Sequence, residues 1–360
     1  MHILFTMRVF VLLKKNIISL SFVLFALFLV LFSNSNLTAC KNGLALWVNS
    51  VIPSLFPFLV AAQLLSYTNV VDFLSMHLNF IMKPLFNVPG CGAFPFIMGL
   101  ISGYPVGAKI VSDLYANGEI TKNEAERLLC FTNNSGPLFI ISTVGSSMYG
   151  NTSLGYILLF THIASSILVG AFLGILSRVK SGKTNNVLLH SIRSSHQPNR
   201  IDSLNSHKSV KLSNLGEVLG DSILSGIKTI LMIGGFVTLF SVIISILKRT
   251  KILITIAGII SYLLHVDSDL VLGLLTGIIE FTNGLSIISN IHLKNISINL
   301  ILSSFLLGFG GISVTLQVLS IISKNRLSGR KYLYDKILHG LLAAMLTFVV
   351  LQIPIFNFNL

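Results

Sequence analysis

The sequence predicts an all-α polytopic membrane protein of roughly 8–10 membrane helices, including two re-entrant hairpins, arranged as inverted-topology repeats. Three observations predict it. Of 360 residues, 53% are hydrophobic and only 10% charged, and the mean hydropathy is +0.83. The apolar stretches are Leu/Ile/Val/Phe runs without strand alternation, so helices rather than a barrel cross the bilayer. Glycine-broken strings recur at matching places in the two halves.

A basic start (Arg8, Lys14, Lys15) precedes a first helix at 17–32. "LTAC" at 37–40 has the form of a lipoprotein cleavage box, but "SNSN" at 33–36 separates it from the apolar run. An uncleaved helix followed by an outer loop at 33–43 is therefore expected. Residues 44–66 return. "GLISGYPVGAK" at 99–109 then places three glycines, Pro105 and Lys109 inside apolar sequence. Such residues suit a hairpin tip, and 93–115 reads as a hairpin with Gly103, Tyr104 and Pro105 at its turn. The alternative is a kinked full span with 70–86 as an extra crossing. "NGEITKNEAERLL" at 117–129 is a short amphipathic helix with Thr121 and Glu124 in a capping box and its charges on a solvated face. Spans at 128–148 and 153–177 follow.

Three segments hold fifteen of the 25 Lys/Arg residues: 1–16, 178–212 and 324–336. The positive-inside rule puts all three in the cytoplasm. Crossing parity then requires the 93–115 hairpin. After the linker, 218–247 exits, 252–265 is too short to span, 270–291 forms a second hairpin and 297–323 returns, before a last helix at 337–356. "KRTK" at 248–251 then lies outside, an exception to the rule. The units are 1–43, 44–177, the basic linker 178–217, 218–323 and 324–360.

"GLISG" at 99–103 pairs with "GLLTG" at 273–277, and "FTNNSGP" at 131–137 with "LGFGGIS" at 307–313. Broken helices in inverted repeats are the pattern of a secondary transporter, whose helix N-termini hold anions at mid-membrane. The candidate substrate-binding residues are Gly103, Tyr104, Pro105, Lys109, Asn133, Asn134, Ser135, Glu280, Asn283, Ser313 and Thr315, with Gln317 a weaker echo. Lys109 either attracts an anionic group or snorkels to an interface. Glu280 either pairs with Lys109, carries a coupling proton or binds hydroxyls. The Asn/Ser run suits a carboxylate or a plain helix cap, and Ser/Thr in such helices often bond only to their own backbone.

The net charge of +13 is topogenic, and no nucleic-acid module accompanies it. Cys40, Cys91 and Cys130 suggest neither disulfides nor zinc, and the nine histidines show no ligand spacing. No nucleophile motif, phosphate loop or spaced acid pair points to an enzyme. No cofactor or metal is expected.

Residues 99–145 closely resemble the sporulation integral membrane protein family of the YlbJ or SpoVV type, with compatible hydropathy over nearly the whole chain outside 178–214. That family is similar, in paired Gate (nucleoside-recognition) segments here at about 44–145 and 220–322, to the concentrative nucleoside transporters. The resemblance implies an endospore former, the outer forespore membrane derived from the mother cell, and movement of dipicolinic acid. The implied partners are a small anionic substrate, the lipid bilayer, and a second copy or other sporulation membrane proteins. A nucleoside-like or other small-anion transporter, and a structural component of a sporulation membrane complex, are the alternatives. On this reading, single cysteines at 178–212 and 324–336 label from the cytoplasm, and those at 33–43 and 149–152 from outside; outside labelling of the linker would refute the hairpin parity.

Overall fold

A computed structural model describes residues 19–182, 214–292 and 295–353. The basic start 1–16, most of the 178–212 linker and the end of the 337–356 helix lie outside the described residues. Among those described, every regular element is helical, as apolar runs without water to bond their backbone require.

The first half contains α1 (Ser19–Leu31), α2 (Ser33–Leu46), α3 (Ile52–Ser66), α4 (Val70–Ile81), α5 (Ala93–Ser102), α6 (Val106–Ala116), α7 (Lys122–Thr132), a π-helical segment Phe139–Met148, and α8 (Thr152–Gly182). The second contains α9 (Leu215–Arg249), α10 (Ile252–Leu264), α11 (Ser268–Ile279), α12 (Phe281–Ser289), α13 (Ser297–Phe309), α14 (Gly311–Ile322) and α15 (Gly329–Leu351). The order repeats. Each half has a long helical stretch (α2–α3, then α9), a shorter helix (α4, α10) and a folded pair (α5/α6, α11/α12). A second broken helix follows (α7 with 139–148, then α13/α14), and a long closing helix (α8, α15) ends each half.

Among the described residues, four helices are long and apolar enough to cross a bilayer: Thr152–Val179, Leu215–Arg249, Ser297–Asn325 and Gly329–Leu351. Two bent pairs add to these, Ser19–Leu31 with Ser33–Asn49 at 98° and Phe73–Phe86 with Gly90–Ser102 at 92°. The expected eight to ten membrane segments thus divide into full spans, bent pairs and short arms.

The 93–115 segment is not one helix. A Cβ built on Gly99 would lie 3.3 Å from the Cα of Gly107. Eight residues of continuous helix would separate those positions by about 12 Å, so α5 and α6 fold back on each other. Both glycines pack on the carbonyl of Thr132, 1.7 Å and 2.0 Å from where their Cβ atoms would stand. In α11/α12, a Cβ at Gly284 would meet the Cα of Gly277 at 2.2 Å, so this pair folds back as well. The expected hairpin tip within 277–284 lies at Glu280, between the two arms.

Several boundaries differ from expectation. Residues 33–43 are helix α2, not a loop; the "SNSN" polarity is absorbed by local bonds such as Asn36 Nδ2 to Phe28 O at 2.9 Å. The 128–148 span is interrupted at Asn133–Gly136, and 297–323 at Gly310. The capping box at Thr121 and Glu124 is present, but α7 continues to Thr132. Its Glu126 and Arg127 are buried rather than solvated: Arg127 donates to Asn87 O at 2.5 Å, and Glu126 pairs with Lys331 at 3.8 Å. The 324–336 loop is mostly helix, because Ser328 caps α15 by accepting from Lys331 N.

The halves pack through α9 against α2 and α3 and through α15 against α8, while α15 also packs on α13 within the second half. Small residues allow the tightest approach: a Cβ at Gly308 of α13 would lie 2.7 Å from Gly340 Cα of α15, the contact membrane helices use in place of a hydrophobic driving force. Since Gly107 has only backbone before it, Gly107→Ala is expected to destabilise by about 3 kcal/mol. Gly258→Ala, with nothing within 4 Å, should be neutral or stabilise by up to about 1 kcal/mol. Thermal melts in detergent check both.

Candidate functional site

Each broken helix frees backbone groups that cannot stay unbonded in an apolar interior. Four breaks converge. The first is Gly103–Pro105, with Gly103 at φ 78°. The second is the extended Asn133–Gly136. The third is Glu280, at φ −142° and ψ 110°. The fourth is Gly310–Gly311, at φ 79° and 75°. A Cβ at Gly103 would stand 2.7 Å from Gly136 N, and one at Gly310 would stand 3.2 Å from Tyr104 Oη. The Tyr104 ring meets Phe281 edge-on at 5.7 Å. Between them lies a cavity of about 40 Å³, lined by Tyr104, Ser135, Glu280, Thr282, Gln317 and apolar neighbours.

The freed groups are bonded across the two halves. Tyr104 Oη donates to Leu307 O at the end of α13 at 2.5 Å. Ser135 Oγ lies 2.8 Å from Tyr104 Oη and 3.3 Å from the same carbonyl. In return, Lys336 Nζ of α15 donates to Asn133 O at 2.9 Å, and Asn133 Nδ2 donates to Tyr332 Oη at 2.6 Å. Ser135 N donates to His162 Nε2 at 3.1 Å. The start of α12 is capped from within: the Glu280 carboxylate accepts from Thr282 N at 3.1 Å and Asn283 N at 2.8 Å.

The structure brings together Gly103, Tyr104, Pro105, Asn133, Asn134, Ser135 and Glu280 at or beside the breaks. Asn283 joins them through Glu280, donating at 2.8 Å, and reaches Ser241 Oγ at 3.3 Å. Thr315 bonds its own helix, Oγ1 to Gly311 O at 2.9 Å, and the buried Ser313 Oγ has no bonding partner. Lys109 stands apart. Its Nζ donates to Ser225 Oγ at 2.5 Å and Gln63 Oε1 at 3.4 Å, while Glu280 is held by the α12 backbone. Of the alternatives for Glu280, the pair with Lys109 is absent among the described residues, because Lys109 lies on α6 facing α3 and α9.

Sequence reasoning missed the cation that is enclosed. Lys336, assigned to the basic loop, is 0% exposed, as are His162 and His339. The two imidazoles, far apart in sequence, stack at 4.8 Å. Their signal is a stripe at helical spacing, Tyr332, Lys336, His339, Ala343 and Thr347, all on the buried face of α15. Thr347 Oγ1 continues it, 2.9 Å from Thr161 Oγ1 and 2.8 Å from Ser304 Oγ. No His/Cys/Asp/Glu group suited to a metal occurs among the described residues.

Two open pockets flank the cavity along α9. One, about 330 Å³, is lined by Gln63, Lys109, Asp113, Ser225 and Thr229. The other, about 440 Å³, is lined by Asn42, Ser241, Ser245, Lys248, Arg249 and Asn283. Between Thr229 and Ser241, α9 presents Ile233 and Val237 to the central cavity. The stripe from Ser225 to Lys248 is about 35 Å long at 1.5 Å per residue.

Tyr104→Phe should destabilise by about 1–3 kcal/mol, because Leu307 O loses its short donor. Ser135→Ala should cost less, since Tyr104 still serves that carbonyl. Paired thermal melts of the two variants check the order.

The family described as "Gate: Nucleoside recognition" matches residues 48–179, from the α2–α3 stretch through most of α8. The sporulation integral membrane protein YlbJ of Bacillus subtilis (strain 168) is 34% identical over 313 residues, covering 85% of this chain and 75% of that protein. No solved structure matches. With that identity over most of both chains, and a helical membrane architecture to accompany it, the chain belongs to the YlbJ family of sporulation integral membrane proteins.

Proposed function

We propose that the chain is a secondary-type transporter of endospore formation that moves dipicolinic acid from the mother cell across the outer forespore membrane. One observation carries the reading: four helix breaks from two like-ordered halves meet at one small cavity, about 40 Å³, between two larger pockets of about 330 and 440 Å³. Unwound backbone at depth is tolerated where it lines a cavity, and paired broken helices are how transporters build a site. The halves enter the membrane from opposite sides, with the tips of α5/α6 and α11/α12 near its midplane.

The charges of one flanking pocket support an anion: Lys248 and Arg249 line it without a carboxylate, whereas Lys109 lines the other beside Asp113 and Glu119. Lys336 lies behind Tyr104, its Nζ 5.7 Å from the ring centroid. An aromatic dicarboxylate would place its ring by Phe139 and Phe281 and a carboxylate by the Tyr104 and Ser135 hydroxyls. Gly103 and Pro105 let the tip approach, and Glu280, Thr282 and Gln317 line the cavity from the second half. At about 40 Å³ the cavity holds water-sized guests only. The described state is therefore the closed one, and loading requires Ile233 and Val237 to part from the α5/α6 tip.

The Gate match and the buried Glu280 carboxylate, a group that suits ribose hydroxyls, favour a second reading, a nucleoside-like substrate. Purified protein in vesicles decides. Dipicolinate flux above empty vesicles is expected, with nucleoside flux at background. Lys109→Ala should raise KM a few-fold at nearly constant kcat, since a pocket cation steers rather than holds. Nucleoside flux without dipicolinate flux would replace the first reading with the second.

A further inference from the structure

The enclosed Lys336 has a hydrogen-bond arrangement that serves two protonation states equally well. Its Nζ sits 2.9 Å from Asn133 O and 2.8 Å from His339 Nδ1. On the other side of the ring, His339 Nε2 faces the carbonyl of His162 at 3.2 Å. A carbonyl only accepts, so Nε2 carries the hydrogen, Nδ1 offers a lone pair and the imidazole is neutral. His162 is fixed the same way. Its Nε2 accepts from Ser135 N, so its hydrogen is on Nδ1, which is buried without a bonding partner.

Lys336 therefore has two acceptors for its hydrogens, and in the third direction the face of Tyr104 at 5.7 Å. A neutral amine fills both acceptors with its two hydrogens. An ammonium fills the same two and turns its third hydrogen to the ring, within the range of a cation–π contact. Neither state breaks a bond. A proton can arrive or leave here without rebuilding the site.

The surroundings leave that charge uncompensated. On α15 itself the titratable neighbours are Tyr332, Asp335 and His339. Tyr332 accepts from Asn133, and Asp335 accepts from the Cys130 thiol of α7. Further along α7, Glu126 is taken by Lys331. From α8 comes His162, and from the α5/α6 turn comes Tyr104. Between them, α13 and α14 bring no titratable side chain. Glu280, at the cavity, is bonded to the α12 backbone and Asn283. No carboxylate contacts Lys336 Nζ among the described residues, and a buried cation without a counter-charge is costly.

We infer that the Lys336–His339 pair is a proton-binding site whose occupancy is linked to an anion in the cavity. The amine takes one proton from water as the anion seats against Tyr104 and Ser135, becoming the ammonium that balances it; when the anion leaves, the ammonium returns the proton. Linkage makes the effect reciprocal: the proton tightens anion binding by the factor by which the anion tightens proton binding. The coupling rests on the transport reading above, whereas the proton site does not.

The test uses the full chain in detergent and a weakly buffered pH indicator. Adding dipicolinate should drive uptake of a proton, approaching one per bound anion, at some pH within roughly 5 to 9. Lys336→Arg, permanently charged, should bind dipicolinate and take up none; Lys336→Met should bind at least tenfold more weakly. Binding to the wild type without proton uptake anywhere in that range would overturn the coupling. Should dipicolinate not bind at all, the substrate assignment fails, and histidine-labelled nitrogen resonances decide the proton site alone. The His339 Nδ1 signal should move in one step with pH, and in Lys336→Arg that step should be lost. A signal flat in the wild type would overturn the site.

Discussion

Everything at the centre of this protein follows from the need to bond backbone groups that four helix breaks set free. A carbonyl at the end of a broken helix has no water to turn to, and an unmet buried acceptor costs about 1–3 kcal/mol. Here the solution is an exchange between halves. Tyr104, at the turn of the first folded pair, serves Leu307 O at the end of α13. Lys336, from the closing helix of the second half, serves Asn133 O at the end of α7. Each half thus completes the other, and neither break is stable alone.

The same bonds define what must change for the cavity to open. Separating the α5/α6 tip from α13 exposes Leu307 O, Ser135 Oγ and Tyr104 Oη together. These are the groups that a polar guest could rebond, so the energy needed to open is recovered when a guest of matching polarity is present. Glycine packing keeps the rest rigid. With Gly99 and Gly107 pressed on Thr132 O, the folded pair packs directly on the α7 backbone.

Much of this was legible in the sequence, because a break in a membrane helix needs residues that can make one. Gly103 and Pro105, the Asn133–Pro137 string and Gly310–Gly311 marked three breaks by residue type alone, and Glu280 fell inside the fourth. Spacing also revealed that the halves share an order. Lys336 stayed hidden for a physical reason. Lys324, Arg326, Arg330 and Lys331 surround it in sequence, so it read as one of a topogenic cluster, yet the Ser328 cap starts α15 early and turns that residue inward. Lys109 misled in the opposite way: adjacency to a tip is not orientation toward it, and one turn of α6 is enough to face it toward α9. The "KRTK" string was expected outside against the positive-inside rule, and its Lys248 and Arg249 line one of the pockets flanking the cavity, a placement that local attraction of anions would explain.

Glu280 sharpens the electrostatic argument for where an anion would sit. A helix N-terminus normally welcomes negative charge, and the start of α12 faces the cavity. Its first amides, however, already bond the Glu280 carboxyl, so that end has no free donors for another anion. The opposite wall has the reverse character: Tyr104 and Ser135 carry hydroxyls, with the Lys336 side chain behind the Tyr104 ring. A dianion entering between them is driven toward the first half and away from α12. A guest with hydroxyls and no charge is drawn the other way, to the carboxylate. On the proposed function, the same cavity would separate the two candidate substrate classes by wall, and the protonation state of Lys336 would set how strongly it favours the anion.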